Sequence, residues 1–239
     1  MVKGSSPAFR RVRKTTAVDS VLEQIKDYVR DNRSAAGSRL PSERELARTL
    51  GVSRPTLREA LRTLALIGVV STRHGSGTEL AASGSNVLRT PLQFLLMLDQ
   101  PSVTDLHETR ELIDVFLAGR AAQRRTPEDL RAMQAPLHDL KAAMDRREGY
   151  TEPDFRFHKS LWAAAHHPIL ERVMSGLQEN IVELMDVVRP DVHDFTSSYE
   201  IHEKIYDAIR RRNARRARRE MAVHHEWMTD ELRHAKLIP

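Results

Sequence analysis

The sequence predicts a mainly α-helical protein, an N-terminal winged helix-turn-helix domain followed by an all-α bundle of about seven helices. Three observations lead there. A capped helix-turn-helix pair at residues 42–67 is followed by two short β-rich runs around a His-Gly-Ser-Gly turn. Beyond residue 86 only helical periodicity remains, with no strand signal. Charge is also divided unevenly. Residues 1–80 carry 15 Lys and Arg against 8 Asp and Glu, a net of +7, whereas residues 81–239 carry 23 against 25, a net of −2.

Composition sets the outer bounds. The 239 residues suffice for two ordinary domains, and 40% hydrophobic with 30% charged residues suits a soluble globular chain. With no cysteine there is no disulfide framework and no thiolate ligand, so any metal must be held by His, Asp or Glu. The start, "MVKGSSPAFRRVRKTT", is basic but lacks the apolar stretch of a secretory signal. The greasiest run, "PLQFLLMLDQ", is about half the length a membrane helix needs. A cytoplasmic protein with no membrane partner is expected. The basic first third suits a polyanion, although 31 Arg against 7 Lys makes placement more telling than abundance.

In chain order, residues 1–14 read as a disordered basic N-terminus and 15–80 as the winged domain. Val18, Val21, Leu22, Ile25 and Val29 share one face of a helix over 15–32. "SAAGSRLP" is a turn-rich connection. Ser42 and Glu45, three apart, form a capping box opening a helix with Leu46 and Leu50 facing inward. Gly51 and Val52 turn the chain into the next helix, which stops at Gly68, and "VVSTRHGSGTEL" reads as a hairpin. "AASGSN", 81–86, is the linker. The bundle, 87–235, takes helices estimated at 86–98, 102–124 (Ser102 cap), 126–147 (Thr126 cap), 151–165, 168–188, 196–212 and 213–235.

The helix in the recognition position is "GVSRPTLREALRTL". Ser53 caps it, and Pro55 is tolerated in a first turn whose amides have no intrahelical partner. Leu57, Ala60, Leu61 and Leu64 form the inward stripe. Arg54, Arg58 and Arg62 line the other side, with Glu59 the only acid in the stretch, so an outside partner is expected. Such a helix enters the major groove by its N-terminal half, where arginine reads guanine bidentately. Arg54 and Arg58 lie in that half. Ser53 and Thr56 suit phosphate or a thymine methyl, Arg44 lies in the first turn of the preceding helix, and His74 and Gly75 form the wing tip.

Residues 37–78, "GSRLPSERELARTLGVSRPTLREALRTLALIGVVSTRHGSGT", resemble the GntR family of bacterial transcription regulators. The resemblance implies DNA contacts from Arg44, Ser53, Arg54, Thr56, Arg58, His74 and Gly75. The helical remainder resembles the FadR-type (FCD) ligand-binding domain, and the extra helix at 86–98 favours its seven-helix branch.

Asp154 and His158 in "YTEPDFRFHKSLW" are i,i+4 neighbours. Alone, this spacing is a weak signal that favours an exposed salt-bridging pair. His202 and His224 are 22 residues apart, far too distant along one helix to share an ion, yet Asn213 lies midway and is a good N-cap. A reversal at "RRRNA" brings the two imidazoles level, and three His with one Asp suit a borderline divalent cation. Zinc comes first, with nickel, manganese or iron as alternatives. The FCD resemblance implies the same set: Asp154, His158, His202 and His224. His225 points about 100° from His224 and is left out. His107, His138, His166, His167, His193 and His234 read as surface or packing residues, and His166-His167 stands where the family often has Gly-Asn. Arg110 matches an arginine near the FCD pocket and suits a carboxylate effector, or else pairs with Asp114 one turn on. "RRRNARRARR", residues 210–219, reads as a solvated hairpin tip rather than a second nucleic-acid site.

The expected function is a homodimeric, metal-containing transcription regulator, a repressor, on an inverted-repeat operator of double-stranded DNA, modulated by a small organic acid. The alternatives are a metallohydrolase with an accessory DNA-binding domain, for which no additional general base stands out, and a constitutive architectural DNA binder.

Overall fold

The structure, a computed structural model, describes residues 16–31, 37–73, 77–81, 87, 89–146, 150–177 and 195–239. They divide into two units, those up to Gly84 and those from Ser85. The expected basic N-terminus (1–14), most of the linker (82–86), the wing-tip residues His74 and Gly75, the helix estimate beyond residue 177 and His193 lie outside the described residues.

In the first unit, α1 (Ala17–Asp31) opens with Thr16 and Asp19 capping each other's amides. It buries Val21 and Ile25, with Val18 and Leu22 partly covered. Val29, expected on the same face, is exposed: it sits in the last turn, beyond the partners that cover Val21 and Ile25. α2 (Glu43–Leu50) has the expected Ser42–Glu45 capping box and ends on Gly51 at φ 65°, a left-handed geometry glycine adopts at no steric cost. α3 (Arg54–Leu66) starts on Ser53, whose hydroxyl accepts from the Thr56 amide, and buries Leu57, Ala60, Leu61 and Leu64. β1 (Val70–Arg73) and β2 (Gly77–Leu80) pair antiparallel, Val70 opposite Leu80. The connection before α2 is more than a turn. Leu40 donates to the Thr78 carbonyl (2.8 Å) and Leu80 to the Ser38 carbonyl (2.9 Å), so 38–40 lies along the outer edge of β2.

The second unit contains α4 (Arg89–Asp99), α5 (Val103–Arg124), α6 (Pro127–Arg146), α7 (Thr151–Ala164), α8 (from residue 168, described through 177), α9 (Phe195–Arg210) and α10 (Ala214–His234). Ser102 forms a capping box with Asp105, Thr126 caps α6 through Asp129, and Asn213 caps α10 at the Arg216 amide. The core is built from Leu117 of α5, Met133 and Leu140 of α6, Phe157, Leu161 and Trp162 of α7, Ile205 and Ile209 of α9 and Met221 of α10. α10 packs against α5 and α9, and α7 against α5 and α6. Among the described residues no helix is long and apolar enough to cross a membrane.

Two of the four described non-glycine residues with positive φ bear on the site. His166, between α7 and α8, sits at φ 46°, a region favouring glycine, which gives a physical reason for glycine to be common there. Arg212, at φ 57°, reverses the chain between α9 and α10. Its guanidinium donates to the carbonyls of Gln123 and Arg125, tying this reversal to the α5–α6 turn. Arg210, Arg211 and Arg216 meet Asp207, and Arg219 meets Glu220. Five of the seven arginines in 210–219 are thus engaged internally, which accounts for the cluster as a hairpin tip.

Candidate metal centre and DNA-reading helix

α7 places Asp154 and His158 one turn apart, both pointing into the bundle and both fully buried. The α9–α10 reversal brings His202 and His224 level, ring centroids 4.7 Å apart, with the His158 ring 5.3 Å and 4.8 Å from them. One nitrogen from each of the three imidazoles falls within 4.8 Å of the others. Asp154 Oδ1 lies 2.9 Å from His202 Nε2, and Asp154 Oδ2 lies 4.0 Å from His158 Nε2. The four residues inferred from spacing therefore converge, and the pair on α7 is buried rather than exposed.

The hydrogen bonds fix what this cluster can hold. His202 Nδ1 donates to the Ser198 carbonyl (2.7 Å), which aims its Nε2 at Asp154 Oδ1, 2.9 Å away, and at His158 Nε2, 3.3 Å away. A carboxylate oxygen and two ring nitrogens thus meet at short range, a point where positive charge is favoured. Asp154 Oδ2 and both His224 nitrogens are buried without a hydrogen-bond partner, each an open position costing roughly 1–3 kcal/mol. The N/O donor set and the orphaned atoms fit a divalent cation.

Electrostatics tunes three of these groups. Burial, with Arg110 adding to it, takes His158 down to about 3, and burial also pushes His224 well below its usual range. For Asp154, burial acts upward but the charge and hydrogen bond of His202 outweigh it, bringing the carboxyl down to about 2. His158 and His224 are thereby neutral beside an ionised carboxylate, as a metal requires.

Behind the cluster is a second polar layer, of which the sequence suggested only the Arg110–Asp114 pair. Asp114 on α5 is fully buried and accepts from Trp162 Nε1 (2.6 Å), His225 Nε2 (3.2 Å) and Arg110 Nε (3.2 Å). His225 spends its Nε2 here rather than on the cluster, and its ring leans on buried His107, which meets Thr229 at 2.9 Å. The Tyr150 hydroxyl donates to Asp154 Oδ1 (3.2 Å) and also contacts the Ser198 hydroxyl. Arg110 makes the expected pair with Asp114, yet its Nη2 stays buried with no hydrogen-bond partner, so the pair does not use the whole fork.

In the first unit, Arg54 and Arg58 are more than half exposed on α3, and Arg44 is exposed on α2. The stripe is not without an internal partner: Glu43 of α2 accepts from Arg58 Nε at 2.7 Å and lies 4.0 Å from Arg54. Reading only the helix's own acids missed it. Ser53 and Thr56 meet through their hydroxyls (2.8 Å), which holds both at the helix start. Exposed ion pairs of this kind hold arginine loosely, at about 0.2–1 kcal/mol.

Comparison with known proteins bears on both units. Residues 17–80 match the family described as bacterial regulatory proteins, gntR family, and residues 105–226 match the FCD domain. Every DNA-contact candidate falls in the first span, and Arg110, Asp154, His158, His202 and His224 fall in the second. The chain is 32% identical to the putative L-lactate dehydrogenase operon regulatory protein of Escherichia coli, over 92% of this chain and 90% of that one. It is 31% identical to the HTH-type transcriptional regulator LutR of Bacillus subtilis, over 79% and 88%. A solved structure of a Streptococcus agalactiae GntR protein superposes with a TM-score of 0.71 at 26% identity, covering 89% of this chain and 99% of that one. These relatives are named as regulators, which favours that reading over the metallohydrolase. A winged reading head followed by a helical FCD bundle, matched along almost its whole length, establishes that the chain belongs to the GntR family of bacterial transcription regulators.

Proposed function

We propose that this regulator is a cytoplasmic, homodimeric repressor whose grip on an inverted-repeat operator is set by a small organic acid bound at a divalent metal site, with zinc the first candidate. The observation that carries the reading is the convergence of Asp154, His158, His202 and His224 in a fully buried cluster. When bound, a divalent ion there supplies open coordination positions to a carboxylate. Arg110, with its unspent Nη2, neutralises a second charge of the acid, and Trp162 and His225 hold Asp114 so that Arg110 keeps its place. Relatives named for an L-lactate dehydrogenase operon and a galactonate operon make 2-hydroxy acids the first class to test.

At the DNA, Arg54 and Arg58 read base edges, Ser53 and Thr56 bond phosphate or meet a thymine methyl, Arg44 contacts backbone or a base, and His74 and Gly75 approach a neighbouring minor groove. A module of this size covers one half-site, so two copies bind half-sites whose centres lie no more than about one helical turn apart. Operator fragments selected from genomic DNA, titrated with zinc-loaded and metal-stripped protein and a panel of 2-hydroxy acids, test the whole reading. An acid that shifts operator affinity only in the loaded protein supports it. Full response in metal-free protein, verified by elemental analysis, overturns it.

A further inference from the structure

We propose that Asp114 is a positioning residue for the metal centre: its carboxylate, standing behind His158, fixes that imidazole with the proton on Nδ1 and the Nε2 lone pair turned toward the metal. The inference rests on the proposed metal site and adds a residue from α5, an element that contributes none of the four ligands.

Asp114 Oδ2 lies 3.6 Å from His158 Nδ1, and that nitrogen is buried with no hydrogen-bond partner. A shift of roughly 0.5 Å brings it within hydrogen-bond range. A neutral imidazole has one N–H and one lone pair. With the proton on Nδ1, the N–H faces a carboxylate and Nε2 faces His202 Nε2 at 3.3 Å and Asp154 Oδ2 at 4.0 Å. The opposite tautomer sets a lone pair against the Asp114 carboxylate, in an interior where neither group is exposed, and pushes a proton into the cluster. His202 is arranged in the same way by a different acceptor, since its Nδ1 donates to the Ser198 carbonyl. His224 has no such acceptor on either nitrogen. Two of the three imidazoles thus have a fixed acceptor behind them, the arrangement that orients ligating histidines. Asp114 is suited to the role because Trp162 anchors Oδ1, while Arg110 and His225 steer Oδ2.

The test uses the full chain, stripped of metal and titrated with Co²⁺, reading affinity and the d–d absorption of the bound ion. Asp114→Asn keeps the side-chain shape and an oxygen for Trp162 but removes the charge. It should bind Co²⁺ about 10- to 100-fold more weakly, with altered bands. Affinity and bands equal to wild type would overturn the proposal and reduce Asp114 to a counter-ion for Arg110. A second measurement needs no variant: ¹⁵N–¹H correlation of the imidazoles in Zn²⁺-loaded wild type should find His158 protonated on Nδ1 and bound through Nε2. A His158 bound through Nδ1, or carrying its proton on Nε2, refutes the assignment even if the variant fails to fold. Wild type that takes up neither Co²⁺ nor Zn²⁺ overturns the metal reading itself, and this inference with it.

Discussion

His202→Ala strikes the candidate metal centre at its middle. Its Nε2 approaches Asp154 to 2.9 Å and His158 to 3.3 Å, and its ring stands 4.7 Å from that of His224. An ion at a thousand times its dissociation constant stabilises the folded unit by about 4 kcal/mol. In a unit of this size each kcal/mol moves the melting temperature by about 2–4 °C, so Zn²⁺ should raise the wild-type transition by about 8–16 °C. If losing the central donor weakens binding about a hundredfold, the same Zn²⁺ concentration stabilises the variant by only about 1.4 kcal/mol, or roughly 3–6 °C. The metal-free variant will itself melt lower, because Asp154 loses its nearest partner, so the quantity to compare is the Zn²⁺-induced rise. Tryptophan fluorescence isolates the relevant transition, since both tryptophans, Trp162 and Trp227, lie in the helical unit. A rise in His202→Ala equal to that of wild type would refute the assignment of His202 as a ligand.

Other consequences are accessible to standard measurements. Arg54→Ala and Arg58→Ala should each cost about 1–3 kcal/mol at a selected operator and much less on random DNA; equal losses on both would show phosphate contact alone. Metal-free protein should lose stability as pH falls from about 6.5 toward 4. His158 is held near 3, His107 near 4 and His224 well below its usual range, all mainly by burial, so the unfolded chain takes up protons first. Each such group contributes up to about 1.4 kcal/mol per pH unit, and a flat urea-denaturation profile across that window would contradict it. Asp154, held near 2, adds to the loss only once pH falls below about 4. Trp162→Phe removes the 2.6 Å bond to Asp114 Oδ1 and should cost about 1–3 kcal/mol by denaturant unfolding, an unchanged midpoint counting against a stabilising bond there.

What was legible in the sequence was what the chain settles locally. Ser42 with Glu45, Gly51, and Ser53 with Pro55 fix the reading helix within a few residues of themselves. Even the convergence of four ligands follows from local signals, an i,i+4 pair on α7 and an N-cap midway between His202 and His224. Asp114 was legible only as an i,i+4 partner of Arg110, because its other donors, Trp162 and His225, are 48 and 111 residues away. His107 finds Thr229 across 122 residues, and Arg58 finds Glu43 on the preceding helix, 15 residues back. Polar pairs between helices carry no periodicity, so tertiary packing alone reveals them. The edge pairing of 38–40 escaped for the same reason, its partner strand lying some forty residues on.

The proposed response to a small molecule draws its support from an incompletely satisfied interior in the second unit. Asp154 Oδ2, His158 Nδ1, both nitrogens of His224 and Arg110 Nη2 are buried without hydrogen-bond partners, in or beside one cluster. Each unmet group costs roughly 1–3 kcal/mol, a large sum against the marginal stability of a domain. The groups come from α5, α7 and α10, with His202 of α9 completing the cluster. An occupant that meets Asp154 Oδ2, His224 and Arg110 Nη2 beside His202 would join four helices at once. An occupant reaching only α7, α9 and α10 leaves Arg110 of α5 unmet, whereas an acid that also engages Arg110 couples α5 to the rest. On the proposed reading, metal and acid are unequal partners: a metal would consolidate three helices, and an acid would add the fourth. A coupling of about 1–3 kcal/mol, typical of allosteric proteins, is smaller than the cost of leaving those groups open, so the cluster can supply it.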